Sequence, residues 1–190
     1  MKIKPVILCG GEGTRLWPTS KNNQAKQFIN FGGWNLFEKT LERIKGKIFD
    51  YPIISTNSKY LKQVKKFLKK LKIKKYSIVL EPAKRNTAPA ILTATLIKNI
   101  PSKQPIMFFP SDHLIDNDKQ LKKAIEKNKR YLNNQNIFVF GIKPTSPSKE
   151  YGYFLTKSIG TNINKVSKFI EKPSETKAKK IIKNKGYWNS

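Results

Sequence analysis

Two hydrophobic periods take turns along the first 140 residues, and that alternation constrains the fold more than any other feature. Residues 3–8 form a short apolar run that stops at Gly10-Gly11, as a buried strand entering a loop does. Leu36, Phe37, Leu41 and Ile44 then recur at helical spacing, with Asn35 placed to cap them. Residues 52–56 are strand-like, and Leu61, Val64, Phe67, Leu68 and Leu71 mark an amphipathic helix with a lysine-rich wet face. The same reading gives strands at 76–80, 105–109 and 137–140, and helices at 86–99 and 121–132. Strands alternating with helices predict an α/β domain around a mostly parallel central sheet. After Gly141 the pattern changes: residues 151–156 and 166–171 are strand-like, and 174–185 read as a helix capped by Ser174.

Composition narrows the classes. At 190 residues the chain has the length of one domain with a real core. It carries 39 Lys plus Arg against 12 Asp plus Glu, a formal charge of +27. Arg accounts for only four of these (Arg15, Arg43, Arg85, Arg130), and Lys is spread along the whole chain. A dedicated nucleic-acid binder concentrates Arg and aromatic residues on one face. The Lys, Asn and Ile excess is therefore read as coding bias, with no specific nucleic acid as partner. No run reaches a membrane span, and the start lacks a secretory h-region. Cys9 is the single cysteine, which excludes an internal disulfide framework and a multi-Cys zinc site. These features predict a cytoplasmic protein with no membrane partner.

The most informative stretch follows the first strand: Leu8-Cys9-Gly10-Gly11-Glu12-Gly13-Thr14-Arg15-Leu16-Trp17-Pro18. Three glycines in four positions permit φ > 0 and close approach to a ligand, and backbone N–H groups there can cradle phosphates. Arg15 adds a planar fork for phosphate oxygens. The string lacks the Gly-Lys-Ser/Thr of a P-loop, and Leu16 stands where a dinucleotide fingerprint requires its third glycine.

Gly10-Gly11-x-Gly13-Thr14-Arg15-Leu16-Trp17-Pro18-x-Ser20, followed by Lys26-Gln27-Phe28, resembles the signature of sugar-1-phosphate nucleotidyltransferases. The Leu-Trp-Pro and Lys-Gln-Phe elements resemble the mannose-1-phosphate guanylyltransferase (GDP-mannose pyrophosphorylase) branch, including bacterial enzymes fused to a phosphomannose isomerase domain. Four more segments fit in order: residues 81–90 (Glu81-Pro82 to Pro89-Ala90), 110–113 (Pro-Ser-Asp-His), 141–145 (Gly-Ile-Lys-Pro-Thr) and 169–173 (Phe-Ile-Glu-Lys-Pro). The closing Trp188-Asn189-Ser190 matches a stretch that continues in the family, so the resemblance implies a C-terminally incomplete domain. Three positions depart from the family pattern: Lys21 replaces Arg, Ala25 replaces Pro ahead of Lys26, and Glu150 replaces Gly ahead of Tyr151.

The resemblance implies a three-layer Rossmann-like nucleotide-diphospho-sugar transferase fold. It implies a nucleotide-binding part over 1–143 and the start of a sugar-phosphate-binding part over 144–190. The reaction it implies is GMP transfer from GTP to α-D-mannose 1-phosphate with Mg²⁺, giving GDP-mannose and diphosphate. The attacking phosphate oxygen is already anionic, so the site needs cations and N–H donors rather than a general base, in keeping with a single histidine, His113. By resemblance the catalytic residues are Arg15, Lys26, Asp112 and Lys172, with Asp112 the Mg²⁺ ligand. Leu8, Gly10, Gly11, Gly13, Thr14, Arg15, Glu81, Asn86, Thr87, Ala88, Ser111 and Asp112 would meet the nucleotide. Gly141, Tyr151, Gly152, Glu171, Lys172 and Asn189 would meet the sugar phosphate. The alternative is a truncated chain that binds GTP with little turnover. A homo-oligomer is compatible with the full-length protein.

Overall fold

The computed structural model describes residues 1–11, 25–82, 87–97, 100–132, 135–158 and 163–189. The chain divides into two compact units, Met1–Glu126 and Lys127–Ser190.

The first unit is built on four parallel strands: β1 (Lys4–Cys9), β2 (Ile53–Asn57), β3 (Ser77–Glu81) and β4 (Ile106–Pro110). Their spatial order is β3-β2-β1-β4. The helices α1 (Leu36–Arg43), α2 (Leu61–Lys70) and α3 (Thr87–Thr95) connect successive strands, and α4 (Asp118–Asn128) follows β4. The first two crossovers run outward from β1. The third runs back past it, which places α3 on the opposite face because such crossovers keep one hand. Accordingly Val6, Ile53 and Ala94 form one core, with Leu8, Val79 and Phe108 against it. Successive strand residues alternate faces, so Ile7, Cys9, Ile54 and Phe109 point the other way, and all four are buried.

That second face is aromatic. Phe28 meets Phe37 at 5.4 Å, Tyr60 at 5.6 Å and Phe67 at 5.9 Å between ring centroids. Phe28 sits in a single helical turn, Lys26–Phe28, which the rings anchor. Asn35 caps α1 as its position predicts: its side chain accepts from the Glu38 N–H at 2.8 Å. The same side chain donates to Glu38 Oε2 at 2.7 Å. Arg43, buried at the end of α1, donates to Asp118 Oδ1 at 2.7 Å and so ties α1 to the start of α4.

The second unit is an antiparallel sheet of β5 (Gly141–Ile142), β6 (Tyr153–Ser158), β7 (Asn164–Ile170) and β8 (Tyr187–Asn189), in the order β5-β8-β6-β7. The helix α5 (Glu175–Lys183) supplies Ala178 and Ile181 to its core beside Tyr153. Ser174 caps α5 by accepting from the Lys177 N–H.

Two expectations are corrected and one strand is new. Residues 137–140 are not a strand: Ile137 is 94% exposed, and the pairing begins only at Gly141. The apolar run meets no strand partner among the described residues, and periodicity alone cannot supply one. The helix expected over 86–99 is described over Thr87–Thr95, and Leu96 is exposed. β8 has no counterpart in the sequence pattern; it forms because Tyr187 and Trp188 pair with β6.

Candidate functional site

In a parallel sheet all carboxyl ends lie together, and ligands gather where the strand order reverses. Here the reversal falls between β1 and β4. The chain leaves β1 through Gly10 and Gly11, and leaves β4 through Ser111 and Asp112, so both expected motifs emerge side by side at one edge of the sheet. Ser111 is itself buried; its N–H donates to the Leu8 carbonyl at 3.1 Å and extends the β1–β4 pairing.

The Lys26–Phe28 turn delivers two polar side chains to this end. Lys26 Nζ lies 3.5 Å from Asp112 Oδ2, with both side chains partly exposed. His113 Nε2 lies 4.0 Å from Asp112 Oδ1. Gln27 donates through Nε2 to the Gly11 carbonyl at 3.2 Å and reaches Cys9 Sγ at 3.7 Å. The turn therefore fixes the start of the glycine loop while holding a cation over the carboxylate.

Cys9 is no nucleophile. Burial pushes its thiol up to about 12, against partial opposition from hydrogen bonds with Ser111, Gln27 and Thr56. It behaves as a small packing residue beneath the loop.

Glu81 closes β3 and comes to the same end. Its Oε1 accepts from the Ser55 hydroxyl at 2.7 Å. A Cβ on Gly10 would stand 3.0 Å from Glu81 Oε2, so the glycine is needed for close approach. The conformational reason expected for it does not hold: neither Gly10 nor Gly11 adopts φ > 0. Thr87 and Ala88 are exposed in the first turn of α3, which starts from this end. Gly13, Thr14, Arg15 and Asn86 lie outside the described residues, as do Lys21 and Ser190.

The second unit gathers the other group of expected residues. Gly141 pairs with Asn189 across β5 and β8. The Asn189 N–H donates to the Gly152 carbonyl at 2.8 Å. Gly152 is bare because a Cβ would come within 2.6 Å of the Phe169 ring and 2.8 Å of Glu171 Oε2. Tyr151 packs on Trp188 with centroids 4.9 Å apart. Lys172 Nζ lies 3.9 Å from Glu171 Oε1, and its backbone takes φ +41° just before Pro173, a conformation L residues seldom adopt there. Strain of that kind concentrates at functional positions.

Two participants carried no signal. Gln27 is a neutral amide inside a motif valued for its lysine, and Ser55 is one serine in a buried strand. Among the described residues no group of three or more His, Cys, Asp and Glu side chains could hold a metal. None is needed for Mg²⁺, which commonly takes one or two protein carboxylates and completes its shell with phosphate and water. A partly exposed Asp112 just past the carboxyl end of β4 fits that donor set.

Comparison with known proteins places the chain among its relatives. A family model described as nucleotidyl transferase matches residues 4–190. The chain is 37% identical to a mannose-1-phosphate guanylyltransferase of Sinorhizobium fredii, covering 100% of this chain and 38% of that protein. It is 36% identical to the alginate biosynthesis protein AlgA of Pseudomonas fluorescens, covering 98% of this chain and 40% of the relative. A crystal structure from Thermus thermophilus, described as a mannose-1-phosphate geranyltransferase, superposes with a TM-score of 0.83. It is 27% identical and is matched over 100% of this chain and 56% of its own. The chain thus spans about 40% of the length of the curated relatives it matches. The α/β fold with its parallel sheet is the one these proteins share, and the chain belongs to the nucleotidyl transferase family.

Proposed function

We propose that this chain carries the nucleotide-handling core of a mannose-1-phosphate guanylyltransferase. The observation that carries this reading is the meeting of Gly10, Gly11, Lys26 and Asp112 at the carboxyl ends of β1 and β4. Relatives named mannose-1-phosphate guanylyltransferase support the choice of GTP and mannose 1-phosphate.

In the reaction a phosphate oxygen of mannose 1-phosphate attacks the α-phosphorus of GTP in line. One P–O bond forms, the α–β bridge breaks, and diphosphate leaves with its electron pair. No proton need be removed from the nucleophile, so catalysis is positioning and charge dispersal. Gly10 and Gly11 bring backbone close to the triphosphate; the family resemblance adds Leu8, Gly13, Thr14 and Arg15 as its contacts. Lys26 spreads charge from the phosphates, and Gln27 keeps the Gly11 peptide in place for it. Glu81, Asn86, Thr87 and Ala88 serve the nucleoside.

Asp112 would hold Mg²⁺, which when bound neutralises phosphate charge. Gly141, Tyr151, Gly152, Glu171, Lys172 and Asn189 serve the sugar phosphate: Glu171 accepts from hydroxyls and Lys172 balances the attacking phosphate. On this reading residues 1–143, Gly141 apart, serve the nucleotide and 144–190 the sugar phosphate. A single buried thiol and phosphorylated substrates support a cytoplasmic setting.

A diphosphate-release assay with GTP, mannose 1-phosphate and Mg²⁺ tests the proposal. Turnover that needs both substrates is the expected result. Calorimetric GTP binding without turnover would leave a binding module only, and no GTP binding would end the reading.

A further inference from the structure

The Glu81 carboxylate is held from two sides. Ser55, fully buried in β2, donates its hydroxyl to Oε1 at 2.7 Å. On the other side stands the Gly10 α-carbon, where an added Cβ would lie 3.0 Å from Oε2 and 3.1 Å from Oε1. The register explains the arrangement. Leu8 pairs with Ser55, and Ser55 with Val79, so all three share one face of the sheet. Glu81 lies two residues beyond Val79 and shares that face. Its side chain leans across the end of β2 toward β1, over Ser55, and stops at a residue with nothing to obstruct it.

A serine hydroxyl has one proton to give. Spent on Oε1, it fixes the orientation of the carboxylate, and the remaining lone pairs stay free to accept. An ionised carboxylate can only accept. Guanine offers two adjacent donors on its Watson–Crick edge, the N1–H and the 2-amino group; adenine offers a lone pair at N1, which a carboxylate repels. We propose that Ser55 is a positioning residue for base selection, holding Glu81 so that its carboxylate takes a guanine and turns an adenine away. This rests on the guanine reading above. Without Ser55 the carboxylate is free to rotate toward water, and discrimination falls although the acceptor survives.

The test is calorimetric binding of GTP, ITP and ATP, each with Mg²⁺, to the wild-type chain and to S55A, S55C, S55T, E81Q and the S55A/E81Q double variant. The wild type should prefer GTP. S55A and the near-isosteric S55C should lower the GTP-to-ATP affinity ratio about tenfold, the size of one ordinary hydrogen bond. S55T, which keeps the hydroxyl, should restore most of it. In the E81Q background S55A should add nothing, since Ser55 acts through Glu81.

Thermal melts of each variant separate lost folding from lost selection. A lower melting temperature with an unchanged ratio would overturn the role of Ser55, as would additive effects in the double variant. ITP should bind more weakly than GTP, because it lacks the 2-amino donor; equal binding would overturn the proposed pairing. If the wild type binds GTP and ATP alike, the guanine reading fails and this inference with it. Wild-type preference retained in both S55A and E81Q would sink this inference alone.

Discussion

Lys26 Nζ and Asp112 Oδ2 stand 3.5 Å apart, an ion pair between the two residues expected to meet phosphate and Mg²⁺. On the proposed function each would occupy the other until substrate arrives. Asp112→Asn should remove the Mg²⁺ stimulation of GTP binding and lower kcat/KM by about 10²–10³, as loss of a preorganised charge does. In EDTA the same variant should bind GTP at least as well as wild type, because Lys26 is freed. Lys26→Met should weaken GTP binding with or without Mg²⁺. Calorimetry in both conditions reads the difference in sign; weaker binding by Asp112→Asn in EDTA would contradict the pairing.

The Cys9 thiol, raised by burial to about 12, predicts both inertness and a pH effect. Alkylating reagents at pH 8 should label it only after denaturation. The unfolded thiol ionises near its ordinary value of 9.0. Between that pH and about 12 the unfolded chain has lost a proton that the folded chain retains. This contribution is whole below pH 9 and falls above it by at most about 1.4 kcal/mol per pH unit. Cys9→Ala should flatten that part of the denaturation profile relative to wild type.

Lys4 is buried beneath Tyr51, with Nζ 2.6 Å from Asp50 Oδ2 and 3.3 Å from the ring centroid. Burial alone would raise the Asp50 carboxyl, but hydrogen bonds from Lys4, the Tyr51 N–H and Gln104, with the Lys4 charge, hold it below the usual range. Stability from this pair is present above the unfolded carboxyl value and is lost as pH falls through the lowered folded one. Asp50→Asn strands a buried ammonium and should cost about 3 kcal/mol, whereas Lys4→Met should cost less. Urea midpoints at pH 7 give the comparison; the reverse order would refute it.

Ala25 adopts φ −66° and ψ 142°, a backbone that proline imposes on itself, and it immediately precedes Lys26. Ala25→Pro should stabilise the protein by about 0.4–1 kcal/mol through the unfolded state. A lowered melting temperature would show that the buried site has no room for the ring.

Gly152→Ala would drive a methyl group into the Phe169 ring and the Glu171 carboxylate. Overpacking of this kind costs about 1–3 kcal/mol. Glu171 should be displaced with it, so the KM for mannose 1-phosphate should rise more than that for GTP. An equal rise in both would argue against a sugar-phosphate role for Glu171.

Much of this was legible in the sequence wherever side-chain period and position act locally. The strand at Lys4–Cys9, the cap at Asn35 and the cap at Ser174 each follow from neighbours a few residues away. The place of Asp112 was legible because an apolar strand precedes it and ends at the carboxyl edge of the sheet. What the sequence hid depends on partners distant along the chain. Residues 137–140 have the composition of a strand and no strand to pair with among the described residues. Gly10 matters through Glu81, 71 positions away, and not through its own torsion angles. Ser55 and Gln27 carry no chemical flag until the fold sets them beside a carboxylate and a peptide carbonyl.

The Lys26–Phe28 turn has a further consequence. Three consecutive side chains engage a carboxylate, a glycine carbonyl and a nest of rings. All three contacts hang on one short turn. Trimming a ring on the far side of that nest, at Phe67 for example, would register as altered chemistry at a distant edge of the sheet. In this stretch the hydrophobic interior and the proposed site share the same three residues.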